Sequence, residues 1–299
     1  MKKSVSVLML LALVAACKDE VKEEEVKPTL MTVKYPETKK VDTADVYFED
    51  KVADPYRWLE DDQSDETAAW VKAQNEVTFG YLNQIPLQET IKEKKEKMWN
   101  YERISAPSKE GKFIYFYKNN GLQNQSVLYR KASENDKEEV FLDPNTFSKD
   151  GTTSLGGVSF SKDGSKVAYS ISEGGSDWRK VIVMDAKSKV IVEDMKFSGI
   201  AWKGNEGFYY SSYDKPEGSE LSAKTDQHKL YFHKLGKSQK EDVVVFGASE
   251  KRRYVNGSLT EDERFLVISA AVSTSGNELY LKDLSKPNSK LITVVDNFY

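Results

Sequence analysis

From about residue 100 to residue 299 the chain repeats one hydrophobic pattern: polar turn, apolar run, loop, apolar run, charged turn, apolar run. The units recur at roughly 50-residue spacing. The first turns at Lys109-Glu110-Gly111 into Phe113–Tyr117, then Val127-Leu128-Tyr129 and Val140-Phe141-Leu142. The second turns at Lys162-Asp163-Gly164, where glycine supplies the positive φ of a tight hairpin, into Val167–Ser170, Val181–Met184 and Val190-Ile191-Val192. The third turns at Gly204–Gly207 into Phe208-Tyr209-Tyr210, Leu230-Tyr231-Phe232 and Val243–Phe246. The fourth turns at Glu261-Asp262-Glu263 into Phe265–Ile268, Leu279-Tyr280-Leu281 and Leu291–Val295. A shorter run rich in small residues precedes the turn, as in Gly156–Phe160 and Ser198–Trp202.

Four strands per unit at this spacing predict an all-β fold built from β-propeller blades; an open sandwich or stacked solenoid is the alternative. Residues 100–299 hold at most four such units. That is short of the expected number and points to an incomplete propeller domain.

Residues 35–99 follow a different period. Met31–Phe48 is extended, with Pro36, and Asp54–Asp61 forms a compact aromatic and charged turn. Ser64 is placed to cap a helix, with Asp65 and Glu66 in the first turn, where negative charge meets unpaired amides. Ala69, Ala73, Val77 and Tyr81 recur at helical spacing, predicting a helix over 64–83. After Pro86, Leu87, Ile91, Lys95 and Met98 predict a second helix over 87–99.

The first residues change the picture again. Lys2 and Lys3 precede an almost wholly apolar tract, Ser4–Ala16, which is too short to span a bilayer comfortably and reads as an export signal over 1–16. It ends in Val14-Ala15-Ala16-Cys17, similar to the bacterial lipobox in which the cysteine is lipidated; a chance cysteine closing a cleaved signal is the alternative. Residues 17–34 then form an acidic tether, and Lys18-Asp19-Glu20 resembles the export signal of some bacterial surface lipoproteins. The expected location is the periplasm or the outer-membrane surface, with membrane contact through a lipid anchor at Cys17. Cys17 is the chain's only cysteine, so no internal disulfide is available. The net charge of −4, without a basic stripe, gives no reason to expect nucleic acid binding.

The run Asp54-Pro55-Tyr56-Arg57-Trp58-Leu59-Glu60-Asp61, followed by a helix carrying Trp70 and Asn75, resembles the opening of the prolyl oligopeptidase (prolyl endopeptidase) family of serine peptidases. Phe141–Asn145, Phe160–Gly164, Ser172–Trp178, Phe197–Trp202 and Phe208–Tyr213 match the family in order, so the resemblance covers residue 35 to about 299. It implies a seven-bladed propeller over an α/β-hydrolase domain, with residues 35–99 packing on that domain. It further implies cleavage of short peptides on the C-terminal side of proline, the propeller limiting access. The Ser-Asp-His triad of the family lies in the C-terminal domain, so this chain alone is expected to be inactive, and proline-containing peptides are substrates of the full-length enzyme. A dipeptidyl or acylaminoacyl peptidase relative fits the motifs less well. A stand-alone secreted or surface propeller that binds protein is the alternative from another functional class.

Within the chain no G-x-S-x-G elbow occurs. Ser176, followed by Asp177 and Trp178, reads as part of a structural loop at a blade edge that could face the substrate cavity. Arg57 and Trp58 read as a packed cluster at the domain seam rather than a binding site. His228 and His233 lie five apart without metal-ligand spacing and read as ordinary strand or loop residues. Asp163-Gly164 lacks the acidic spacing of a calcium loop, and the acidic residues at 61–66 are accounted for by helix capping rather than glycosidase chemistry. No catalytic, metal or cofactor residue is assigned.

Overall fold

The computed structural model describes residues 33–189, 191–196, 198–214 and 227–297. The signal segment 1–16, Cys17 and most of the tether lie outside them, as do Val190 and Phe197. Strand β1 (Ala44–Tyr47) pairs antiparallel with β2 (Asp50–Ala53), and a 3-10 turn (Arg57–Glu60) leads to α1 (Asp65–Leu82) and α2 (Gln88–Trp99). The Thr67 amide donates to the Ser64 hydroxyl at 3.1 Å, so the predicted cap forms. Residues 38 and 39 lie along this unit: Trp70 Nε1 donates to Thr38 Oγ1 at 2.9 Å, and Trp58 Nε1 to the Lys39 carbonyl at 3.0 Å. The apolar stripe of the second helix is uncovered, with Leu87 62% and Met98 76% exposed.

The remainder forms four sheets in succession. In the first, β3 (Arg103–Ile104) and β4 (Ser108–Glu110) both pair with β5 (Phe113–Asn119), followed by β6 (Val127–Lys131) and β7 (Glu139–Leu142). β3 and β4 act as one edge strand interrupted near Pro107, which has no amide to donate. Ser105 bridges the gap, its amide donating to the Tyr117 carbonyl and its hydroxyl accepting from the Tyr117 amide, both at 2.9 Å. The second sheet is β8 (Ser154–Phe160), β9 (Lys166–Ser172), β10 (Arg179–Asp185) and β11 (Ile191–Lys196). The third is β12 (Ser198–Lys203), β13 (Gly207–Tyr213), β14 (His228–Lys234) and β15 (Val243–Phe246). The fourth is β16 (Tyr254–Leu259), β17 (Phe265–Ala271), β18 (Glu278–Asp283) and β19 (Ile292–Val295). Every neighbouring pair runs antiparallel, giving meanders with short turns.

One apolar cluster fills each gap between successive sheets. Tyr115, Leu128 and Phe141 meet Val167, Tyr169 and Ile182 between the first and second. Ala168, Val181 and Val183 meet Trp202, Phe208 and Tyr210 between the second and third. Tyr209 and Leu230 meet Val255, Leu266 and Ile268 between the third and fourth. Burying each large side chain contributes about 1.5–3 kcal/mol, so these faces hold the stack together. Polar staples add direction. Arg130 lies 4.2 Å from the Phe113 ring centroid, pairs with Glu139 at 2.5 Å, and donates to the Ala186 carbonyl of the second sheet. Trp202 Nε1 donates across the next gap to the Ser159 carbonyl at 3.1 Å.

The four predicted units are therefore four sheets behind two helices. Among the described residues no strand of the first sheet is hydrogen-bonded to one of the fourth, and closure into a ring is not shown.

Candidate functional site

The third and fourth sheets do not fit flush at one end. A cleft of about 320 Å³ opens there, lined by Gly199, Ser211, His228, Tyr254, Asn256 and Ser269 among others. Its floor comes from strand chemistry. On β12 the ladder runs from Ser198 opposite Ser211 to Ala201 opposite Tyr209, so Gly199 and Ile200 together face Tyr210 as a bulge. The second sheet has the same irregularity at Gly156 and Gly157, where the Gly157 amide is answered by the Ser170 hydroxyl at 2.9 Å. In the third sheet the corresponding residue is Tyr210, whose hydroxyl instead donates to Asp242 at 2.7 Å.

His228 closes one wall. Its Nδ1 accepts the Val255 amide at 3.0 Å, so in the neutral ring the proton sits on Nε2. Nε2 is buried, and the ring stacks on Tyr213 with centroids 4.2 Å apart. Burial pulls the imidazole pKa down to about 4, and the Ser211 carbonyl works weakly in the opposite sense. At neutral pH His228 is uncharged. The lining side chains are otherwise neutral, so the cleft suits an uncharged guest.

The sequence predicts both histidines as ordinary strand or loop residues. His228 belongs to the cleft, while His233 lies in a closed network. His233 Nδ1 meets Asp242 Oδ1 at 2.8 Å, and the Tyr210 hydroxyl takes the other carboxylate oxygen. Both side chains of the His–Asp pair are almost wholly buried, which marks the pair as internal scaffolding rather than a proton relay. No group of three or more potential metal ligands occurs among the described residues.

The residues singled out beforehand lie elsewhere. Ser176 sits in the loop joining β9 and β10; its hydroxyl accepts the Trp178 amide at 3.1 Å, and its carbonyl accepts the Ser172 hydroxyl. These bonds close the loop. Asp177 is exposed and Trp178 half-buried. Arg57 donates to Asp54 at 2.6 Å and to Asp45 on β1, which ties the hairpin to the 3-10 turn. Hydrogen bonds to Asp45 first, then Asp54, drive the guanidinium pKa well above its ordinary value. Trp58 anchors residue 39 through its indole N–H. Arg57 and Trp58 thus tie the β1–β2 hairpin and residue 39 to the 3-10 turn.

Residues 36–299 match the family profile described as the prolyl oligopeptidase N-terminal beta-propeller domain. A prolyl endopeptidase of Elizabethkingia miricola is 57% identical over 273 residues, covering 89% of this chain and 38% of the relative. One of Dictyostelium discoideum is 34% identical, covering 80% of this chain and 39% of the relative. A solved prolyl endopeptidase, studied for inter-domain dynamics in catalysis and specificity, superposes with a TM-score of 0.76 at 27% identity over 89% of this chain and 40% of its own. Prolyl oligopeptidase B from Galerina marginata, bound to a macrocyclization substrate, gives 0.73 at 29% identity over 89% and 42%. The chain thus spans well under half the length of these relatives. Four sheets in sequence order, the Asp54–Asp61 run and the profile match agree: the chain belongs to the prolyl oligopeptidase family of serine peptidases and corresponds to its N-terminal propeller portion.

Proposed function

We propose that this chain is the N-terminal, substrate-admitting portion of a serine endopeptidase that hydrolyses short peptides on the C-terminal side of proline. The carrying observation is the 57% identity to a prolyl endopeptidase across 89% of the chain and 38% of the relative. In this reading the four sheets are blades of a seven-bladed propeller, and the nucleophile, orienting acid and general base belong to an α/β-hydrolase domain encoded further along. The uncovered apolar stripe of α2 supports it, because an exposed row including Leu87, Ile91, Met98 and Trp99 calls for a covering surface. The neutral cleft between the third and fourth sheets offers a place for an uncharged residue of a peptide held at the propeller face. The reading frame downstream of residue 299 tests the proposal. Three further strand quartets followed by a G-x-S-x-G elbow support it, and an immediate stop codon removes it.

We further propose that Cys17 is lipidated and holds the protein at a bacterial membrane; the support is the Val14-Ala15-Ala16-Cys17 sequence behind an apolar tract. Several acyl chains on one residue anchor stably, whereas a single chain binds only marginally. The protein is expected in the membrane fraction, and Cys17→Ser should release it to the soluble fraction with loss of the acyl mass. Membrane association unchanged in Cys17→Ser contradicts the anchor.

A further inference from the structure

Among the described residues, a hydrogen bond joins two sheets that are not neighbours. Lys162 Nζ, on the turn between β8 and β9, donates to the carbonyl of Glu261, on the turn between β16 and β17, at 2.7 Å. The whole third sheet lies between these two in the chain and in the stack. Sheets packed flat lie about 10 Å apart, so the second and fourth would be separated by roughly 20 Å. A lysine side chain reaches only about 6 Å beyond its Cα. The bond therefore requires the sheets to fan, with their first turns gathered at one end.

Other contacts at the same end agree. The turns of the first and second sheets touch at Gly111 and Gly164, both with positive φ, and a Cβ on Gly164 would lie 2.5 Å from the Gly111 nitrogen. The turns of the second and third are joined by Asn205 Nδ2 donating to Asp163 Oδ2 at 2.7 Å. Glu263, on the fourth turn, extends its carboxylate toward Gly204 on the third. Beside the Lys162 bond lies an open recess of about 510 Å³ lined by Lys162, Thr260, Glu261, Asp262 and Phe265.

We propose that Lys162 is a strap across the inner end of the fan, setting how far the second and fourth sheets splay and hence how wide the opening at the turn end is. The neighbour-to-neighbour contacts at the turns each span one gap. A bond skipping one sheet removes the accumulated freedom of two gaps. Lys162 is exposed and packs under nothing, so its removal leaves the apolar clusters intact. The consequence for substrate size rests on the propeller reading above: a looser strap should admit longer peptides.

Two measurements separate the strap from that reading. In the 1–299 chain carrying Cys17→Ser, spin labels at Lys187→Cys and Lys286→Cys report the separation of the second and fourth sheets. A single narrow distance distribution is expected with Lys162 present. Lys162→Met should broaden and lengthen it, and Lys162→Arg, which keeps a long donor, should restore it. An unchanged distribution in Lys162→Met overturns the strap, whatever the enzyme does. In the longer polypeptide, Lys162→Met should raise kcat/KM for a peptide of about 20 residues relative to a two-residue substrate by roughly two- to fivefold, the weight of one exposed charged contact. A broadened distribution with an unchanged ratio keeps the strap and rejects its role in substrate size.

Discussion

Replacing Asp242 with alanine is expected to lower the free energy of unfolding by about 1–3 kcal/mol, the cost of leaving buried hydrogen-bonding groups without their acceptor. The carboxylate accepts from the Tyr210 hydroxyl and meets His233 Nδ1, and the side chains of His233 and Asp242 are 0% and 2% exposed. Truncation removes one shared acceptor from the His233 imidazole and the Tyr210 hydroxyl inside the third sheet. The cost is desolvation without compensation, larger than the net worth of the bonds themselves. Burial already pushes the Tyr210 pKa up, and the Asp242 charge adds to this, so the phenol does not ionise to relieve the loss. Urea denaturation of the chain and of Asp242→Ala reads the difference. The double variant His233→Phe with Asp242→Leu should recover part of it, because the imidazole then leaves with its partner while the Tyr210 hydroxyl still loses its acceptor. A loss below about 1 kcal/mol in the single variant would show the network to be energetically idle.

Acidification should reveal His228 next. Its pKa lies at about 4 in the folded chain against 6.5 when unperturbed, so the unfolded chain takes up the proton first. Stability is then fully present above pH 6.5 and falls as the pH drops toward 4, by up to about 3 kcal/mol. The carboxylates act lower. Asp163, Asp185 and Asp283 are held well below the ordinary range by hydrogen bonds, led by the Ser165 amide, the Ser188 amide and the Ser285 hydroxyl respectively. Their contributions are present above pH 3.8 and are lost below it, outside the histidine window. Unfolding free energy measured from pH 7 to pH 4 should slope for the native sequence and be much flatter for His228→Phe. Equal slopes would mean that His228 is solvated and the cleft wall open.

Much of the fold was legible because local signals agreed with the final packing. Ser64 with Asp65 and Glu66 marked the start of α1, and each apolar run from Phe113 to Val295 became a strand within a few residues. Four strands escaped: β3 and β4 are short edge pieces, with Lys109 and Glu110, expected in a turn, belonging to β4, and the other two are β16 and β2. β16 reads Tyr-Val-Asn-Gly-Ser-Leu, and Asn256-Gly257 suggests a turn. Gly257 is there for another reason: a Cβ would meet the Leu230 side chain at 2.7 Å, so glycine lets the third and fourth sheets approach. β2 was hidden because its hairpin turns on Phe48 and Glu49, with φ of 47° and 77°, where no residue advertises a left-handed turn.

The candidate site was less visible. Gly199, His228, Asn256 and Ser269 come from four different strands, and only the meeting of two sheets makes them neighbours. His233 and Asp242, nine residues apart, are brought together by the register of β14 against β15 and the 3-10 turn before it. By contrast, the side-chain hydrogen bonds of Arg57 and Trp58 lie within residues 39–58, in a dense run of opposite charges and aromatics. Ser176 could be set aside on sequence because Asp177 and Trp178 break the spacing of a nucleophile elbow, and its loop bonds give it a structural task.

Under the proposed function, substrate admission falls to this chain and the hydrolytic chemistry to residues outside it. Turnover of a proline-containing fluorogenic peptide, by purified 1–299 and by the polypeptide extended through the downstream reading frame, tests it most directly. The extended protein should cleave after proline, and 1–299 should show no turnover above the buffer rate. Clear turnover by 1–299, abolished by Ser176→Ala, would contradict the account.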